Sequence, residues 1–280
     1  MTTSLSGRTG VLLHIGYPTH SFKAPLIYNP WFEAHDIDAA VVPLGLPEPA
    51  FSATFRSLMT ASNVRGALVT MPHKVTVLDL VDEVRPAARI AGAANAVLVR
   101  EDGMLVADMF DGEGFVRGME RHGRSATGAR ALVTGCGGVG SAIAASLAAA
   151  GVAELGLYDV RTGSADALAG RLTAHHPQLR VVVGDNDPDG YDVVVNATPM
   201  GMEPGDPLPF DVSRIAPTAF VGEVVMKQQI TPFLAAARQR GCATQVGTDM
   251  LFEQIPAYLE FFGYGSATPA ELREVARLAA

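Results

Sequence analysis

Gly135, Gly137 and Gly140 stand in the pattern G-x-G-x-x-G within ALVTGCGGVGSAIAASLAAAG, between an apolar run and an alanine-rich stretch that Gly151 ends. Residues without side chains let a backbone touch a pyrophosphate, whose charge meets free N–H groups at a helix N-terminus. Alone, the pattern also describes any tight turn from strand to helix. Its context favours a dinucleotide, because Asp159 follows Gly140 by 19 residues and ends the next apolar run. A carboxylate there accepts hydrogen bonds from ribose hydroxyls and repels a 2′-phosphate, so NAD is the expected cofactor. Arg161, two residues on, could hold that phosphate and keeps NADP as the alternative. The expected cofactor set from this loop is Gly135, Gly137, Gly138, Val139, Gly140, Asp159 and Arg161, with Cys136 read as packing rather than as a nucleophile.

The elements that must position these residues follow from hydrophobic periodicity. GVLLHIG, DAAVVPLG and GALVT read as strands separated by the helical stretches APLIYNPWFEAHD and FSATFRSLMTA, a βαβαβ series and so a largely parallel sheet. Two helical segments after Lys74 lead to NAVLVREDGMLVADM, where Asp102-Gly103 marks a hairpin and adds an antiparallel pair. A second series runs through RALVT, ELGLYD, RVVVG, YDVVVNA, TAFVGEV and CATQV, which predicts a six-stranded doubly wound sheet. MLFEQIPAYLEFFG then returns to helix, and Thr268, Pro269 and Glu271 form a capping box with proline at the first helical position. The expected fold is α/β in two domains, 1–110 plus 250–280 and 111–249, the latter a Rossmann dinucleotide-binding domain.

Composition sets limits. With 280 residues, 48% hydrophobic and 18% charged, the chain can bury two ordinary cores. A net charge of −8 opposes the broad attraction that nucleic acid or an anionic membrane surface needs. Cys136 and Cys242 are too few for a disulfide framework and have no metal-ligand spacing, so no metal is expected and a reducing cytoplasm is the natural setting. The beginning, MTTSLSGRTG, lacks the basic-then-apolar run of a signal peptide, and no apolar stretch approaches the roughly 20 residues of a membrane helix. The expected partner is a small molecule, bound by a monomer or homodimer.

Four further segments, GALVTMPHK, AGAANAV, ADMFDGEG and NATPMGM, resemble the shikimate dehydrogenase family across nearly the whole chain, in the family's order and with similar spacing. The resemblance places the catalytic lysine of G-x-N-V-T-x-P-[FHY]-K on Lys74 and the aspartate of N-T-D-G-x-G on Asp111. It implies substrate contacts at Thr70, Asn95 and Gln254, and a cofactor border at Asn196, Ala197, Thr198, Met200, Val224 and Gly247. It also assigns substrate binding and catalysis to the domain of residues 1–110 plus 250–280 and implies that the C-terminal helices rejoin it. A hydride leaving a carbinol carbon requires the hydroxyl proton to depart too, and a positioned amine such as that of Lys74 can take it or return it. As isolated residues, Lys74 and Asp111 would more often be a salt bridge or solvated charges.

The chain departs from the family where the ligand should lie. The family's G-x-P-x-x-H-S-x-S-P is here GYPTHSFKAP, so the carboxylate-binding serines become Phe22 and Ala24, with His20 and Ser21 displaced by one position. Lys23 could pair with a carboxylate or be a solvated lysine at a helix start. Apolar residues also replace polar ones at Leu68, at Met109 and Phe110, and at Met226, which predicts a less polar pocket and weak shikimate binding unless these side chains are core packing. Each lost partner would cost roughly 1–3 kcal/mol. His14 and His73 are read as locally hydrogen-bonded histidines. Shikimate or quinate dehydrogenase proper is the alternative within the class, and a catalytically weak NAD-binding sensor the alternative from another. Retention of Lys74, Asp111, Asn95 and Gln254 argues against the sensor.

Overall fold

The computed structural model describes residues 5–20 and 22–278, in two compact units: 1–88, 92–110 and 255–280 form one, and 89–91 with 111–254 the other. Ser21, one of the displaced residues, lies outside the described residues, as do the first four of the N-terminal segment.

In the first unit β1 (Gly10–Gly16), α1 (Pro25–Ala34), β2 (Ala39–Gly45), α2 (Glu48–Leu58) and β3 (Val64–Val69) form the expected βαβαβ series. After β3 comes a 3-10 helix, Thr76–Leu80, then a two-residue strand that the periodicity did not reveal, β4 (Glu83–Val84), and α3 (Pro86–Ala91). The Asp102-Gly103 hairpin forms: β5 (Ala96–Val99) and β6 (Leu105–Asp108) pair antiparallel, and the Asp102 carboxylate accepts from the Met104 N–H at 3.1 Å. The sheet order is β2-β1-β3-β5-β6-β4. Its core holds Leu12, Ile15, Ile27, Phe32, Phe51, Phe55, Ala67 and Val97, all essentially without exposure.

The second unit begins with α4 (Asp111–Arg121) and then alternates β7 (Arg130–Thr134), α5 (Gly138–Ala149), β8 (Glu154–Tyr158), α6 (Ser164–His175), β9 (Arg180–Val183), β10 (Val193–Asn196), β11 (Phe220–Glu223), α7 (Pro232–Gln239) and β12 (Ala243–Gln245). All six strands pair in parallel, in the doubly wound order β12-β11-β10-β7-β8-β9. Strand alternation divides the core: Val193 and Val195 pack with Ile143, Leu147 and Leu168 on one face, while Val194 and Val221 pack with Phe233 and Leu234 on the other. The chain then enters α8 (Gly247–Phe261), which passes from the second unit into the first, and ends with α9 (Pro269–Val275). Thr268 and Glu271 make the expected capping box at the start of α9. No helix among the described residues is long and apolar enough to cross a membrane.

Two features of the second unit set its tolerance to change. Helices α4 and α5 touch where a Cβ on Gly112 would collide with the Ala142 carbonyl. Gly112→Ala should therefore lower stability by about 1–3 kcal/mol, read as a lower urea midpoint. Glu223, the last residue of β11, has no exposure; its Oε2 accepts from Thr231 Oγ1 at 2.9 Å and its Oε1 has no partner. Burial, opposed by hydrogen bonds from the Thr231 and Asn196 side chains, raises its pKa from 4.5 to about 7. The folded chain thus keeps this proton where the unfolded chain has released it, so the stability it contributes is complete below 4.5 and falls as pH rises to about 7. Urea unfolding at about pH 5 and pH 8 should show a smaller loss of stability for Glu223→Gln than for the unaltered chain.

Candidate active site

The glycine loop turns the chain between β7 and α5. Gly135 has φ +95°, a region that side chains disfavour, and a Cβ there would lie 2.7 Å from the Ala197 carbonyl oxygen. A Cβ on Gly140 would collide with the Gly135 carbonyl. The N-terminus of α5, starting at Gly138 and Val139, has no side-chain cap, so its first N–H groups remain for an anion. Gly137 precedes it, and the Arg161 Nη2 lies 3.6 Å from where a Gly137 Cβ would be.

Asp159 ties this loop to the end of β8. Its Oδ2 accepts from the Cys136 N–H at 2.7 Å and from Arg161 Nη2 at 3.1 Å, and its Oδ1 accepts from the Arg161 N–H and Nε. The Arg161 side chain is the main cause that holds the carboxyl down at about 2. Burial, reinforced by the Asp159 charge, pushes the Cys136 thiol up to about 12, so it stays a thiol and packs.

The facing turn is tied to Asn196, which is wholly buried at the end of β10. Its Nδ2 donates to the Met200 carbonyl at 3.0 Å, and its Oδ1 accepts from the Thr198 N–H and Oγ1. The Val224 N–H donates to the Asn196 carbonyl, and a Cβ on Gly247 would collide with the Val225 carbonyl. Asn196, Ala197, Thr198, Met200, Val224 and Gly247 are thereby brought to one edge of the sheet with the glycine loop. A glycine-rich loop, an uncapped helix start and a carboxylate at the adjacent strand end fit a dinucleotide.

Asp111 and Gln254 also belong to the second unit. Asp111 is buried at the start of α4, and Gln254 is buried in α8 against Gly114 of the same α4, its Oε1 without a partner. Met226, just after β11, is 38% exposed.

In the first unit Lys74 lies half-buried in the turn after β3, its carbonyl accepting from the Ala94 N–H at 2.8 Å. The helix expected to start beside it is the short 3-10 turn from Thr76. Asn95 is buried next to Ala94; its Oδ1 accepts from the Phe110 N–H at 3.0 Å, which fixes the end of β6. Thr70 is half-buried and donates its N–H to Ile15 on β1. The Phe22 ring reaches the same strand end, 2.9 Å from where a Gly16 Cβ would be, and stacks on His14 with centroids 4.0 Å apart. Lys74, Thr70, Asn95, Phe22 and His14 thus gather around the carboxyl ends of β1 and β3.

Other expected substrate residues lie elsewhere. Met109 is 2% exposed, and the buried Phe110 ring packs on Tyr258 and Phe261 at 4.9 and 5.3 Å, so both are core side chains of this unit. Lys23 is exposed at the approach to α1. His73 is a local histidine, with Nε2 2.7 Å from the Leu46 carbonyl and the ring stacked on Phe51. His14 is not: its Nδ1 is buried and meets no partner. A histidine within an otherwise apolar strand was the available signal. Glu223 was missed because its strand reads as an ordinary buried run until the final residue.

Comparison with known proteins identifies the family. The family profile described as the shikimate dehydrogenase substrate binding domain matches residues 14–97. The shikimate dehydrogenase (NADP(+)) of Rubrobacter xylanophilus is 37% identical over 254 residues, 89% of either chain. Quinate dehydrogenase from Corynebacterium glutamicum, solved in complex with NAD, superposes with a TM-score of 0.83 at 32% identity, covering 95% of this chain and 98% of that one. Shikimate 5-dehydrogenase from Listeria monocytogenes, solved with shikimate and NAD, shares the fold with a TM-score of 0.90 at 24% identity, covering 98% and 99%. Identity above 30% over almost all of both chains, on the two-sheet architecture described above, places this chain in the shikimate dehydrogenase family, as an NAD(P)-dependent dehydrogenase acting on a CH–OH group.

Proposed function

We propose that this chain interconverts a secondary alcohol and a ketone on a small cyclic substrate, with Lys74 as acid and base, Asp111 as its partner, and NAD preferred over NADP. The observation that carries the reading is the gathering of Lys74, Thr70 and Asn95 at the carboxyl ends of β1 and β3, where a parallel sheet exposes its ligand-facing groups. The first unit is the substrate domain and the second the dinucleotide domain. A bound nicotinamide supplies the hydride acceptor for oxidation and the donor for reduction. In oxidation the substrate hydroxyl gives its proton to the Lys74 amine; in reduction the Lys74 ammonium returns it to the carbonyl oxygen. Thr70, Asn95 and Gln254 orient the ring.

Pocket polarity follows from the side chains at the β1 and β3 ends. Phe22 and Ala24 replace serines, and Leu68 of β3 is buried and apolar, so the substrate is less polar or less acidic on that side than shikimate. Met109 and Phe110, as core residues, contribute only indirectly.

The NAD preference rests on Asp159, held ionised beside the glycine loop, which puts negative charge where a 2′-phosphate would lie. Arg161 offsets part of that charge, so NADP is still accepted, though less well than NAD. The NADP(+) in the name of the Rubrobacter relative favours a second reading, an NADP-dependent shikimate dehydrogenase proper.

Lys74→Ala should lower kcat by about 10²–10⁴-fold with NAD affinity retained; unchanged turnover removes the mechanism. The ratio of kcat/KM for NAD over NADP should exceed one and should rise in Arg161→Ala, since the guanidinium is the group that tolerates the phosphate. A ratio below one in the unaltered chain favours the second reading.

A further inference from the structure

We infer that His14 is a substrate-binding residue: its neutral imidazole donates a hydrogen bond from Nε2 to a hydroxyl or keto oxygen of the substrate, beside Lys74 and over the Phe22 ring. The inference rests on the functional reading above and adds a specificity group that the motifs do not mark.

Four observations carry it. His14 lies on β1 opposite Leu68 of β3 in the strand register, and these two positions share a sheet face at the end where Lys74 stands. Leu68 offers the imidazole no polar partner. The Nδ1 atom is buried and unpartnered, whereas the ring as a whole is only half-buried, so its accessible edge is the one that carries Nε2. The ring is clamped flat on Phe22, centroids 4.0 Å apart and planes 29° apart, which fixes the direction of that edge.

Protonation state and tautomer follow from the surroundings. Burial first, and the Lys74 charge second, lower the His14 pKa to about 4, so the ring is neutral throughout the working range. A buried N–H without an acceptor is a rarer orphan than a bare lone pair, so the single proton sits on Nε2. The ring can then donate to an oxygen without adding a second positive charge beside Lys74. A carboxylate gains less here than it would from a cation, whereas a ring hydroxyl or ketone is fully served. The ligand class is therefore a cyclic polyol or its keto form, bound through an oxygen near the reacting one.

The test compares His14→Val and His14→Gln with the unaltered chain, using shikimate, quinate and a panel of cyclic alcohols with NAD and NADP. His14→Val should raise KM about 10–100-fold with kcat within a few-fold, and His14→Gln, whose amide N–H can reach as Nε2 does, should recover most of the loss. Nitrogen-15 NMR of the histidine-labelled protein at about pH 6 should show a neutral ring protonated on Nε2, with a resonance that moves on adding the substrate that is turned over. An unmoved KM in His14→Val, a ring protonated on Nδ1, or an imidazolium at that pH overturns the role of His14 while leaving the functional reading intact. Turnover of no alcohol or ketone in the panel overturns that reading and the ligand assigned to His14 with it.

Discussion

Parallel strands bring their carboxyl ends to one edge, and both units of this protein depend on that constraint. In the first, β1 and β3 end at Gly16 and Val69, and the turns just beyond carry Phe22, Thr70 and Lys74. In the second, β7, β8, β10 and β11 end beside Gly135, Asp159, Asn196 and Glu223. Residues as distant in sequence as Gly135 and Ala197 meet because their strands, β7 and β10, are hydrogen-bonded neighbours in register. Side chains offered at such an edge are free of the ladder that buries the rest of each strand.

Backbone contacts, more than side chains, shape the dinucleotide loop. Gly135 and Gly140 are required by the Ala197 and Gly135 carbonyls even before any ligand is considered. The same crowding that excludes Cβ atoms leaves the start of α5 open. Asp159 then serves twice, bonding the Cys136 N–H of the loop and holding the Arg161 guanidinium over it. Cofactor choice is consequently a balance between a carboxylate and the arginine paired with it, rather than the presence of either.

Burial decides the charge of two further groups. His14 is depressed to about 4 and Glu223 is raised to about 7, each mainly by loss of water, and each thereby favours its neutral form. Neutrality lets a histidine stand near Lys74 without repelling a second cation from the site. For Glu223 it spares the end of β11 a buried charge whose Oε1 nothing answers.

The order of strands and helices, the glycine loop, the hairpin at Asp102 and the capping box at Thr268 were legible in the sequence, because each depends on residues a few positions apart. So was family membership, carried by the segments around Lys74, Asn95, Asp111 and Asn196. The strand β4 was not, since two residues show no periodicity and become a strand through their pairing with β6. Nor did sequence settle whether Met109 and Phe110 face a ligand: the packing of Phe110 on Tyr258 and Phe261, from a helix about 150 residues later, put them in the core. The role of His14 likewise waited on the fold. A strand pattern shows that a residue points to one face, but only neighbouring strands and the Phe22 ring determine whether a polar atom there finds a partner or is left for a ligand.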